Sequence, residues 1–272
     1  MKKKLFALLP ATALAAVLAL SACGSNTSSA PNPYDLITPG TIQAAASGDQ
    51  PPFAKVDAGG HPAGFVIDIT EEVANRLGLK VSYKSSTVPA AIQGLTSGQY
   101  DLAASGLGIT DERQKSVSFA KGLYWSTTAV LTKSSNPAAT LDAFAGKKVG
   151  VVTGAVQAAF VEKKMPGAVM TQFEGQNAGV SQLNSGSIDA FVVGGPDAEA
   201  YLKQFPDLKI AVSAPVEHAT TVAFKKGNAA LVNAWDKEVQ TMVDDGSYGK
   251  IYAKYFTEAP LPQLISIWPG LK

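Results

Sequence analysis

Cysteine is almost absent from this chain: one residue in 272. A single thiol forms no intramolecular disulfide and is too few for a thiolate-rich metal site. Histidine is nearly as scarce, with two residues, and neither sign of charge prevails: 23 Lys+Arg stand against 22 Asp+Glu, a formal net charge of +1. Binding to nucleic acid relies on clustered excess Lys and Arg, so no nucleic-acid partner is expected. Disorder needs low hydrophobicity and high net charge, and a chain that is 46% apolar at +1 has neither. Catalytic signatures are missing as well. No G-x-S-x-G elbow and no G-x-x-x-x-G-K-[ST] loop occurs, and Gly106-Leu-Gly108 is followed by Asp111 where a dinucleotide fingerprint needs a third glycine. No metal and no cofactor is expected, and no catalytic residue is assigned. A Glu217-His218 pair offers acid and base groups without an accompanying nucleophile. His61, in a Gly-His-Pro turn, is expected to be solvated.

What the chain does have begins at its N-terminus. Lys2, Lys3 and Lys4 precede an uncharged Leu/Ala-rich stretch, Leu5 to Leu20, which ends in Leu20-Ser21-Ala22-Cys23. A membrane-spanning helix needs ~20 apolar residues, and this run of 16 contains Pro10. The pattern is a secretory signal over residues 1–22. Its end resembles a bacterial lipobox, in which Cys23 takes a lipid and becomes the first mature residue. Residues 24–33 are small, polar and proline-containing, so 23–34 is expected to be a flexible tether. Without residues 1–22 the chain carries 20 Lys+Arg against 22 Asp+Glu, a net charge of −2. The expected location is the extracytoplasmic face of the cell membrane, held by lipid.

Beyond the tether, strand and helix patterns alternate. Thr41 to Ala46 is a strand candidate; Asp68, with Glu71 three residues on, has the spacing of a capping box opening a helix that Gly78 ends. A strand over 80–84, a helix over 90–97 and a strand over 101–104 complete a βαβαβ run. The same order restarts at Gly146: strand, glycine turn at Gly154, helix, strand, helix over 180–185, and a strand over 190–193. Two segments align directly, since Leu95-Thr-Ser-Gly-Gln-Tyr-Asp101 and Leu183-Asn-Ser-Gly-Ser-Ile-Asp189 share L-x-S-G-x-x-D at a separation of 88 residues. That distance is too long for a solenoid period, so two α/β lobes of similar build are expected. Sequential βα units imply mostly parallel sheets, with ligands at the carboxyl ends of strands.

Binding chemistry concentrates at strand-to-helix turns. Ser105-Gly-Leu-Gly-Ile-Thr110-Asp-Glu-Arg113 places small residues after a strand, Thr110 as an N-cap, and Arg113 three residues later. Small residues let backbone N–H groups approach an anion, and a guanidinium can grip a carboxylate through two parallel hydrogen bonds. Pairing of Arg113 with Asp111 or Glu112 is disfavoured, because neighbours one and two residues apart do not face each other on a helix. Gly154-Ala-Val-Gln157 is the matching turn of the second lobe. Phe53, Tyr124 and Trp125 are candidate cleft aromatics, with core packing the equal alternative for the last two.

At this point the chain resembles the bacterial extracellular solute-binding proteins of family 3, receptors of amino-acid-type ABC importers. The resemblance spans about Gly40 to Phe256. It is carried by Pro51-Pro52-Phe53, Gly64-Phe65 with Asp68-Ile69, Ser97 to Leu102, Ser105 to Arg113, Gly146 to Val151, and Asp245 to Tyr252. It implies an α/β two-lobed periplasmic-binding-protein fold with a two-strand hinge. Lobe 1 would comprise 35–126 plus 221–257, lobe 2 would comprise 127–220, and 258–272 would be a tail. By analogy Arg113 grips a ligand carboxylate with Ser105, Gly106 and Gly108, while Phe53 and the residues before it, Gln50 included, line the pocket. Departures from the family pattern stand at Gly194-Gly195, where an Asp usually holds an ammonium, at Val156 in place of Thr, at Gln50 in place of Tyr, and at Val88 in place of an aromatic. Asp197, three residues past Gly194, can substitute for the missing carboxylate. The expected partners are a small carboxylate-bearing or amino-acid ligand, an ABC permease and ATPase complex, and the membrane through its lipid; a monomer is expected. The competing expectations are an exported enzyme similar to the cyclohexadienyl dehydratases, using Glu217 or His218, and a ligand sensor for a membrane partner.

Overall fold

A computed structural model of the protein describes residues 32–216 and 219–271. The export signal, Cys23 with most of the tether, and the Glu217-His218 pair lie outside the described residues. The tether's last residues are held: Asn32 exchanges side-chain hydrogen bonds with the backbone of Leu36, both at 2.9 Å, and Asn228 Nδ2 donates to the Tyr34 carbonyl at 2.7 Å. Among the described residues no helix is long and apolar enough to cross a membrane.

The first half of the chain runs β1 (Thr41–Ala46), β2 (Asp49–Gln50), β3 (Ala54–Val56), β4 (Pro62–Ala63), α1 (Phe65–Arg76), β5 (Lys80–Ser85), α2 (Val88–Thr96), β6 (Leu102–Gly108), α3 (Asp111–Ser116) and β7 (Val117–Phe119). The second half runs β8 (Thr127–Lys133), a 3₁₀ turn, β9 (Lys148–Val152), α4 (Val156–Lys164), β10 (Val169–Phe173), α5 (Gln176–Ser185), β11 (Ala190–Gly194), α6 (Gly195–Leu202) and β12 (Leu208–Pro215). The chain then returns through β13 (Thr220–Lys225) to α7 (Ala229–Asp244), α8 (Ser247–Tyr255) and α9 (Pro262–Ile267).

Two five-stranded sheets result, with orders β5-β1-β6-β13-β7 and β10-β9-β11-β8-β12. Both are mixed, which corrects the expectation of mostly parallel sheets. In each, the three strands linked by helical crossovers pair in parallel, and the two remaining pairings are antiparallel. The antiparallel strand next to the parallel set is the one that arrives from the other lobe: β13 enters the first sheet and β8 the second. A strand delivered across the hinge has no helix to turn it round. The two crossings are tied where Thr220 N–H donates to the Tyr124 carbonyl at 2.7 Å and Tyr124 N–H returns at 3.0 Å.

The sequence repeat is a structural one. Gly98 and Gly186 both take a left-handed conformation, φ +73° and +81°, which no side chain adopts cheaply. Each releases the chain to an aspartate that caps the neighbouring strand. Asp101 Oδ2 accepts from Gln43 N–H at 2.8 Å while Asp101 N–H donates to the Gln43 carbonyl at 2.8 Å. Asp189 does the same with Lys148, at 2.8 and 2.9 Å.

Several elements differ from their sequence patterns. Helix α1 starts at Phe65, three residues before the expected capping box, because Phe65 is fully buried among Tyr124, Tyr248, Tyr252 and Phe256. Its first N–H groups are taken by carbonyls, Phe65 by Pro52 at 2.8 Å and Val66 by Phe53 at 2.9 Å, while Asp68 pairs with Lys254 at 3.2 Å. Strand β8 carried no signal that was recognised in the sequence. The small-residue stretch Ser105 to Gly108, expected as a loop, is the end of β6, pairing with β13 from Thr220↔Gly108. The segment 258–272, expected to be a tail, carries α9 and buries Leu264, Trp268 and Leu271 in the core of the first lobe. Trp268 Nε1 donates to the Gly122 carbonyl at 2.5 Å.

Candidate functional site

A cleft of about 1380 Å³ runs between the two sheets. Its walls are helix N-termini that follow strand ends: Thr87 and Val88 at α2, Thr110 to Arg113 at α3, Gly154 to Gln157 at α4, Gly175 and Gln176 at α5, and Gly194 to Asp197 at α6. Helix N-termini carry unsatisfied N–H groups and a partial positive charge. The first-lobe helices spend one donor on a side-chain cap, Thr87 to Ala90 N–H and Thr110 to Arg113 N–H. Helices α4, α5 and α6 have no side-chain cap from their own N-cap residues; the Asn177 N–H of α5 is taken by an aspartate of the other lobe, and Pro196 in the first turn of α6 has no N–H to offer.

Arg113 stands where the lobes meet. Its Nη1 donates to the Gly108 carbonyl at 2.8 Å, and its Nη2 crosses to the Gly154 carbonyl of the second lobe at 2.7 Å. Among the described residues no carboxylate pairs with it; Glu112 pairs instead with Lys115 at 2.5 Å. Burial lowers its pKa to about 10, so it remains a cation at neutral pH while lacking a counter-charge. Three of its five N–H donors remain available.

The other expected residues sort into four groups. Gly106, Gly108, Gln50, Phe53, Val156, Gly194 and Asp197 line the cleft with Arg113. Ser105 does not: it is buried, and its Oγ accepts from Ser47 N–H at 2.9 Å. The two glycines are explained by what a Cβ would meet, since one at Gly106 would stand 2.9 Å from the Phe53 ring and one at Gly108 would stand 3.1 Å from Val156. Tyr124 and Trp125 are off the cleft. Tyr124 stacks on Phe256 with centroids 4.2 Å apart, and Trp125 Nε1 donates to the Val216 carbonyl in the hinge. His61 is solvated, 3.7 Å from Asp57.

Opposite Arg113 the site is acidic and buried. Asp197, in the first turn of α6, is 5% exposed and accepts from Gln176 Nε2 at 3.2 Å. Burial raises its pKa to about 7, outweighing the Gln176 hydrogen bond that lowers it; the charge of Asp49 adds to the rise. Asp49, on β2 of the first lobe, reaches across: its Oδ2 accepts from Asn177 N–H on α5 at 3.4 Å, and its carbonyl accepts from Tyr201 Oη at 3.1 Å. With the Arg113 bond to Gly154, these bonds join the two lobes across the cleft. Asp49 and Gln176 were not foreseen. The late start expected for α5 hid Gln176, whose only signal is its place after Gly175; Asp49 stands beside Gln50 and is the acidic residue of that turn.

Two α/β lobes hinged on paired crossings, with strand ends and free helix N-termini facing one cleft, define a receptor that closes on a small solute. The chain belongs to the bacterial extracellular solute-binding proteins, family 3, whose pattern matches residues 42–258. It is 31% identical over 229 residues to the lysine/arginine/ornithine-binding periplasmic protein of Escherichia coli (strain K12), covering 80% of this chain and 88% of that one. Its fold matches an ancestral arginine-binding protein bound to arginine, with a TM-score of 0.77 and 33% identity over 80% of this chain and 98% of that one. It also matches an ancestral amino-acid-binding protein, a precursor of cyclohexadienyl dehydratase, with a TM-score of 0.74 and 29% identity over 80% and 96%. The relatives are binding proteins, and this chain is a binding protein rather than an enzyme.

Proposed function

We propose that the protein captures an amino acid by lobe closure, receives its carboxylate on Arg113, and presents the closed form to an ABC permease and ATPase at the extracytoplasmic face. The observation that carries this reading is Arg113: a charged guanidinium at the lobe boundary, with three free donors and no acidic partner among the described residues. A planar fork of donors matches a carboxylate, and a bound carboxylate supplies the counter-charge that burial otherwise denies it. Gly106 and Gly108 keep the backbone open beside it, while Val156 and Phe53 supply the apolar wall. The relatives named for arginine, lysine and ornithine support an amino acid over a plain organic acid.

Cys23, the only cysteine, carries the lipid that holds the mature chain as a monomer on the membrane, with the two lobes divided at 35–126 plus 221–271 and 127–220. The −2 charge of the mature chain leaves no electrostatic attraction to anionic lipid, so the acyl chains alone provide the anchor. Two measurements test the reading. Melting scans against the common amino acids and matched organic acids should show a rise for one or more amino acids; no rise for any sinks the ligand class. Fractionation of cells bearing Cys23→Ser should move the protein from membrane to soluble fractions, and retention on the membrane refutes the anchor.

A further inference from the structure

The lobes also meet away from Arg113. Asp49, on β2 of the first lobe, lies against the start of α5 in the second, a helix whose own N-cap residue, Gly175, has no side chain to offer. Asp49 Oδ2 accepts from the Asn177 N–H at 3.4 Å, the role of an N-cap side chain, so one lobe caps a helix of the other. Its Oδ1 accepts from Ser47 Oγ at 2.9 Å, and Ser47 is fixed in turn by the Ser105 Oγ that takes its N–H. Tyr201, 1% exposed in the core of the second lobe, shares its one hydroxyl proton between the Asp49 carbonyl at 3.1 Å and Asn177 Oδ1 at 3.2 Å. Glycine at 175 is what admits the carboxylate. A Cβ there would stand 2.3 Å from Asp49 Oδ2, although its φ of −154° suits any residue. Both carboxylate oxygens of Asp49 are thus engaged within the protein, unlike the buried Oε1 atoms of Gln50 and Gln176 on the same cleft, which have no partner among the described residues. Tyr201 and Asn177 are not among the residues that line the cleft.

We propose that Asp49, Asn177 and Tyr201 form a latch between the lobes that keeps the unliganded protein partly closed and so raises its affinity for every ligand alike. Opening the cleft draws Asp49 off α5, leaves that helix uncapped, and exchanges both bonds for water. Each bond biases the equilibrium towards closure by about two- to tenfold. A ligand that needs the closed form binds with an affinity scaled by the fraction already closed, so the latch acts on all ligands by one factor. Tyr201 and Asn177 are positioning residues, acting through closure rather than by touching the solute. The inference rests on the lobe-closure reading above and not on the ligand's class.

The test joins calorimetric titration of L-arginine, L-lysine, L-ornithine and L-glutamine with small-angle X-ray scattering of the protein alone and with each amino acid that binds. Tyr201→Phe removes the hydroxyl and keeps the buried ring. Gly175→Ala displaces the Asp49 carboxylate while leaving every side chain of the cleft in place. Each single variant should weaken all binding amino acids by a common factor of about two- to fivefold, and the double variant by about 5- to 50-fold. The unliganded double variant should have a larger radius of gyration than unliganded wild type, and saturating ligand should bring the two together. Weakening confined to one amino acid, no common loss of affinity, or no expansion of the unliganded double variant overturns the proposal. If no amino acid binds the wild type, the ligand reading falls and the scattering comparison still decides the latch. If ligand binds without compacting the double variant, the lobe-closure reading falls as well.

Discussion

Replacing Arg113 by Ala separates a ligand group from a structural one. In the ligand-free protein the guanidinium donates to two backbone carbonyls, at 2.8 and 2.7 Å, that lie on the cleft and accept from water once it is gone. Removal also relieves the cost of burying an unpaired cation, the cost that lowers its pKa to about 10. These effects oppose each other, so the change in stability should be ~1 kcal/mol or less, a melting shift of about 2–4 °C for a domain of this size. The bound state differs. A forked carboxylate contact comprises two charge-assisted hydrogen bonds at ~1.5–3 kcal/mol each, and losing both costs about 3–6 kcal/mol, or roughly two to four decades of affinity. Calorimetric titration of the amino acid found in the melting scan measures that loss. Arg113→Lys keeps the charge without the fork and should fall between, about 10- to 100-fold weaker than wild type. An Arg113→Ala protein that binds within threefold of wild type, or whose ligand-free melting point drops by ten degrees or more, would falsify the assignment.

Three further outcomes follow from the structure. Asp101, fully buried with two backbone N–H groups on its carboxylate, should lose about 3 kcal/mol of stability on replacement by Ala, whereas Asp189, half-buried with one such bond, should lose about 1 kcal/mol; urea unfolding of both variants checks the ratio. Gly106→Ala should push the Phe53 ring off its seat against Tyr124, where the centroids are 5.4 Å apart, costing about 1–3 kcal/mol of stability together with ligand affinity. Because the folded-state pKa of Asp197 is raised to about 7, the ligand-free protein binds a proton there that the unfolded chain releases near pH 4. Its contribution to stability is full below about pH 4 and is lost as pH rises through about 7, with Tyr124 and Tyr201 beside it neutral throughout and Asp49 the nearby carboxylate. Melting points across pH 4–8 should show this slope flattened in Asp197→Asn, and an unchanged slope would reject the buried, proton-binding state.

Much of this protein is set by residues near one another in the chain. Alternation of helical and strand periods, the glycines at 98 and 186, and the aspartates that follow them are local features, and they suffice for two repeated α/β lobes. Thr110 as a cap and Arg113 one turn on are also local, so the anionic half of the site is legible from spacing alone. The remainder depends on what the fold brings together. Strand β8 has no partner in its own vicinity; it becomes a strand by crossing the hinge to lie between β11 and β12, and that crossing is what makes the sheets mixed. Whether Ser105 lines the cleft or holds Ser47 turns on which way a sheet residue points. The acidic half joins Asp49 and Gln50 from one lobe to Gln176 and Asp197 from the other, about 130 to 150 positions later in the chain. Burial of a carboxylate and two amide oxygens that lack donors is a property of the closed cleft, and sequence spacing carries no trace of it.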